Sequence, residues 1–126
     1  LRRNFYLIDT NIIIRFLTQD NEKLSEKSTQ IFEKIERGEI RAKIPESVIA
    51  EIVYVIMKIY KKDREFIVTT LKKILNLKGI INHDKTHLKN ALDIFLEKNI
   101  DIVDAILLAR SKQCLGVLSF DKDLNR

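Results

Sequence analysis

Phe5-Tyr6-Leu7-Ile8-Asp9-Thr10-Asn11 is the stretch on which the fold turns. Four apolar residues run straight into an aspartate, and Asn11 to Leu17 then begins a helix. A short apolar run feeding directly into a helix reads as a buried strand opening an α/β unit.

Downstream, the pattern repeats. Asn21 is a competent N-cap for a helix over 22–37, with Leu24, Ser28, Ile31, Phe32 and Ile35 on one face and Gly38 as its stop. Residues 39–44 alternate charged and apolar side chains, as a half-buried strand does. Pro45 marks a boundary, and Ser47 is placed to cap a helix running to about Tyr60. Asp63, Asp84 and Asp101 stand at the starts of three more helices, ending near Leu77, after Leu96 and near Gln113. Ile80 and Ile81 read as a very short strand, and Val117 to Phe120 as a final one. Strands alternating with helices predict an α/β fold, a single domain over 1–126 with a mostly parallel central sheet flanked by helices.

The composition agrees with that reading. The 126 residues are 45% hydrophobic and 33% charged, with 3 Gly and 1 Pro, a globular profile rather than a disordered one. The net charge of +5 modestly favours a polyanionic partner. Cys114 is the only cysteine, so no internal disulfide forms, and a reducing, cytoplasmic setting is expected. No stretch approaches the roughly 20 apolar residues of a membrane span. Asp9 and Asn11 interrupt the opening apolar run behind Arg2 and Arg3, which argues against a secretory leader.

Four carboxylates carry the chemical signal. Two predicted strands end in aspartate, at Asp9 and Asp121. In an open parallel sheet, ligands bind outside the carboxyl ends of the strands. Glu51 is the sole charge in Val48–Met57, and Asp104 the sole charge in Ile102–Ala109. Each also has an ordinary reading. Asp9 can cap the helix that follows, Glu51 can sit on a solvated stripe shared with Lys58, Asp104 suits a first helical turn, and Asp121 suits a turn.

Taken together, the order and spacing of Leu7-Ile8-Asp9-Thr10-Asn11, the helix bearing Glu51, Asp104-Ala105-Ile106-Leu107-Leu108-Ala109 and Leu118-Ser119-Phe120-Asp121-Lys122-Asp123-Leu124 resemble the motifs of the PIN-domain family. The small size is similar to that of VapC-type toxin ribonucleases. The resemblance implies Asp9, Glu51, Asp104 and Asp121 as catalytic residues. Asp9, Asp104 and Asp121 would ligate Mg2+ or Mn2+, and Thr10, Asn11 and Ser119 would support them. The implied reaction is metal-activated attack of water on an RNA phosphodiester, leaving a 5′-phosphate and a 3′-hydroxyl. The resemblance also implies a VapB-type antitoxin and a homodimer. A housekeeping RNA-processing PIN nuclease and a catalytically idle RNA- or protein-binding module are the alternatives.

Clustered carboxylates repel one another and need a cation, and a hard divalent ion with oxygen ligands meets that need. Arg15 is the candidate cation for the RNA backbone near the site. Lys58, Lys61, Lys62 and Arg64 read mainly as a solvated helix end. A dehalogenase-type phosphatase is disfavoured because Asn11 stands where its second aspartate is needed. A phospho-receiver domain is disfavoured because no acidic pair follows the first strand. His83 and His87 lack the further ligands of a zinc site, and the three glycines are too scattered for a phosphate-binding loop.

Overall fold

The computed structural model describes residues 4–122 and 124. Arg2, Arg3 and Asp123, read above in the opening basic pair and the last motif, lie outside the described residues. The elements in chain order are β1 (Tyr6–Leu7), α1 (Thr10–Thr18), α2 (Glu22–Arg37), β2 (Ala42–Lys43), α3 (Glu46–Lys58), α4 (Arg64–Leu75), α5 (Lys85–Lys98) and α6 (Ile102–Ser111). Helices dominate and the sheet is small and parallel, an α/β domain as the strand–helix alternation predicts.

β1 and β2 pair in parallel, with Tyr6 opposite Ala42 and Leu7 opposite Lys43. Ala42 also bridges Ile80 in parallel, so the predicted short strand at Ile80 is reduced to one residue. All three segments therefore point their carboxyl ends the same way. Leu7 leads into Asp9, Lys43 into Pro45, and Ile80 into Asn82.

Local sequence explains several helix ends, although Asp84 and Asp101, at the starts of α5 and α6, make no side-chain cap hydrogen bond. The Asn21 side chain accepts from Leu24 N at 3.0 Å, and Asp63 accepts from Phe66 N at 2.8 Å. Gly38 ends α2 with φ of +75°, a left-handed conformation that glycine adopts without steric cost. The expected cap at Ser47 is corrected. The Pro45 carbonyl accepts from Val48 N and Ile49 N, and α3 starts at Glu46, so Ser47 already lies inside the first turn.

The helices bury a core of Ile13, Ile35, Ile49, Ile52, Leu75 and Phe95. α1 packs against α2 and α3; α3 also meets α4 and α6; α5 lies against α4 and α6. Gly79 lets the chain pass close to α2. A Cβ there would stand 2.3 Å from the Ile40 carbonyl oxygen and 2.7 Å from that of Ile35.

Two expectations fail at the sheet edge. Phe5–Ile8 was expected to be buried; Ile8 is in the core and Phe5 half-buried, yet Tyr6 and Leu7 are 66% and 68% exposed. Val117–Phe120 was expected to be a strand, yet it forms none, and the side chains of Leu118 and Phe120 are fully exposed. The two corrections share one cause. Among the described residues, β1 has only β2 beside it and so keeps one open edge, and the chain bends at 112–115 after α6 without pairing with that edge.

Candidate active site at the carboxyl ends of the strands

Asp9 follows β1 at the carboxyl edge of the sheet and is the N-cap of α1, its Oδ1 accepting from Thr10 N at 2.8 Å. Capping does not exhaust this carboxylate, which keeps a second oxygen and several lone pairs for another partner. Beside it, Thr10 is buried and its Oγ1 has no hydrogen-bond partner. A buried, unsatisfied hydroxyl next to an exposed carboxylate is a place where an incoming polar ligand or water would be held.

Glu51 lies on the exposed side of α3, opposite the buried Ile49, Ile52, Val53 and Ile56. Asp104 is half-buried in the first turn of α6. Because α3 packs between α1 and α6, the fold draws the three acid-bearing elements together. Asn11 is exposed at the start of α1. Asp121 is exposed beyond α6, where its backbone N–H donates to Ser119 Oγ at 3.0 Å.

Among the described residues, no group of three His, Cys, Asp or Glu side chains stands close enough to hold a metal ion. The donor types suit a hard cation, but their arrangement in this conformation does not form a metal centre.

Arg15 has another partner. Its Nη1 lies 2.7 Å from Asp20 Oδ1, and Asp20 also accepts from Thr18 Oγ1 at 2.9 Å and from Tyr60 Oη at 2.5 Å. The Tyr60 hydrogen bond, then those from Arg15 and Thr18, hold the Asp20 carboxyl down at about 2. Arg15 also lies six residues from Asp9, about 9 Å along α1. Arg64 is engaged as well, donating to the carbonyls of Phe95 and Ile100 and lying over the Phe95 ring.

Sequence reasoning missed a second polar group at the same edge. Asn82 bonds both backbone groups of Ile44, Asp84 accepts from Asn82, and Arg110 reaches Glu46 and Asp84. The one available hint was the polar run Asn82-His83-Asp84 directly after a predicted strand.

The profile of the PIN domain matches residues 6–126. The chain belongs to the PIN-domain family. A relative from Aquifex aeolicus (strain VF5), the "VapC ribonuclease", is 28% identical over 107 residues, covering 85% of this chain and 78% of that protein. No solved structure matches. The match of this PIN domain to its family spans Asp9, Glu51, Asp104 and the last motif.

Proposed function

We propose that this PIN domain is a metal-dependent endoribonuclease of the VapC type. The observation that carries the reading is the position of Asp9, at the carboxyl end of β1, capping a helix that packs against the Glu51 helix, which in turn packs against the Asp104 helix. The Aquifex aeolicus relative supports ribonuclease chemistry, and the net charge of +5 suits an RNA substrate.

Asp9 and Asp104 are assigned as ligands of Mg2+ or Mn2+, with Asp121 as a third. Asp121 would join them when Val117–Phe120 lies along the open edge of β1. That movement would also cover Tyr6, Leu7, Leu118 and Phe120, apolar side chains now left to solvent. An open strand edge favours pairing with an exposed apolar segment. When bound, the ion would offset repulsion among the carboxylates and charge on the phosphate. Glu51 would orient the attacking water, while Thr10, Asn11 and Ser119 would hold carboxylates or phosphate by hydrogen bonds. Arg15 is the cation of α1 offered to the RNA backbone, although Asp20 already neutralises part of its charge.

The toxin role, a VapB-type antitoxin, a homodimer and a cytoplasmic setting are part of the same proposal. An apolar cleft of about 370 Å³ lined by Tyr6, Leu7, Ile8, Ile12, Ile31 and Ile35 gives a partner somewhere to bind. No described helix is long and apolar enough to cross a membrane.

A second reading, a PIN-like module without catalysis, is favoured by the absence of a three-acid cluster among the described residues. Cleavage of total RNA with Mn2+ or Mg2+ against EDTA, comparing wild type with Asp104→Asn, separates the two. Metal-dependent cleavage lost in the variant supports the nuclease. RNA binding without cleavage by folded, antitoxin-free protein supports the idle module.

A further inference from the structure

A polar network outside the four acids joins the carboxyl ends of the strands to the helices. Arg110, in the last turn of α6, donates its Nε to Glu46 Oε2 at 2.8 Å and its Nη2 to the same oxygen. Its Nη2 also lies 3.5 Å from Asp84 Oδ2. Asp84 Oδ1 accepts from Asn82 Nδ2 at 3.1 Å, and the Asn82 amide is bonded to both backbone groups of Ile44. One guanidinium therefore links the first residue of α3, the residue before α5, the end of α6 and, through Asn82, the chain just after β2.

Stability is a poor account of this arrangement. The Arg110 and Glu46 side chains are 43% and 33% exposed, and exposed ion pairs add little because water screens them. A planar guanidinium gripping two carboxylates does supply a fixed orientation. Glu51 stands five residues beyond Glu46 on α3, and Asp104 six residues before Arg110 on α6. Those separations are about 8 and 9 Å of helix.

We infer that Arg110 is a positioning residue. By tying α6 to the start of α3 and to Asp84, it fixes Asp104 relative to Glu51. The inference rests on the reading of those acids as a ribonuclease site. On that reading the two carboxylates face one ligand and repel each other, and a link between their helices holds their spacing.

The test uses the full chain, with Arg110→Gln, Arg110→Lys and a control, Lys72→Gln. The control breaks the Lys72–Asp93 pair, which joins α4 to α5. Spin labels on Tyr54→Cys and Leu107→Cys, in a Cys114→Ser background, report the α3–α6 distance without touching an acid. Cleavage of a mixed-sequence fluorogenic RNA with Mn2+ reports kcat and KM. Arg110→Gln should broaden or shift the distance distribution and lower kcat about tenfold with KM little changed, the lower end of the effect of partners one step behind a metal ligand. Arg110→Lys should restore part of both, and Lys72→Gln should change neither. An unchanged distance and kcat in folded Arg110→Gln overturns the inference, as does an equal loss in Lys72→Gln. If Arg110→Gln does not fold, Glu46→Ala removes the acceptor on α3 from the other side and is read in the same way. A wild type with a narrow distance distribution but no cleavage overturns the ribonuclease reading, and the catalytic role of Arg110 with it.

Discussion

The side-chain amide of Asn82 bonds both the N–H and the C=O of Ile44, at 2.8 and 2.7 Å. It thereby continues the ladder between β2 and the Ile80 segment one step past the last backbone pair. Asn82→Ala would leave two backbone groups of a fully buried residue unpaired. The expected cost is about 1–3 kcal/mol, a fall in Tm of roughly 5–12 °C. Thermal unfolding measures it, and a Tm unchanged from wild type would show that water takes over both bonds.

Gly79 gives a steric prediction. The Cβ of Gly79→Ala would fall 2.3 Å from the Ile40 carbonyl oxygen, and backbone cannot swing aside as a side-chain tip can. The variant should lose at least about 1–3 kcal/mol. Denaturant titration checks this, and wild-type stability would mean the Ile40 loop can retreat freely.

Asp20 predicts a pH window. Its folded pKa is about 2, below the ordinary 3.8, chiefly through the Tyr60 hydrogen bond. A depressed carboxyl contributes stability that is present above the unfolded pKa and is lost as pH falls through the folded value. That contribution should therefore fade between about pH 4 and pH 2. Tyr60→Phe should flatten this part of the pH–Tm curve, and Asp20→Asn should remove it. Identical curves for all three proteins would refute the assignment.

Metal binding can be followed without activity. Mg2+ or Mn2+ should raise the Tm of wild type more than that of the double variant Asp9→Asn, Asp104→Asn, because a ligand of the native state stabilises by mass action. Equal shifts would remove these acids as ligands.

Closure of the last segment is also measurable. In a Cys114→Ser background, Leu7→Cys and Leu118→Cys should form a disulfide under mild oxidation if Val117–Phe120 lies beside β1, since bridging needs Cα atoms within about 7 Å. A monomeric product indicates closure within one chain, and a covalent dimer indicates exchange between two. A chain that stays fully reduced would exclude the closure.

The sequence by itself determined the local events. Asn21, Gly38 and Asp63 act through hydrogen bonds and backbone angles within a few residues, so α2 and the start of α4 were legible in advance. The alternation of strands and helices likewise announced a parallel α/β domain, and Asp9 was legible as the residue where a strand gives way to a helix. Only the tertiary structure decided which distant groups meet. The partners of Arg110 lie 26 and 64 residues away, and Tyr60 reaches Asp20 across 40, distances over which no local pattern carries information. The fate of Val117–Phe120 was undecidable for the same reason. Its apolar run is compatible with a strand, but a strand exists only where another edge pairs with it, and pairing is a property of the assembled sheet.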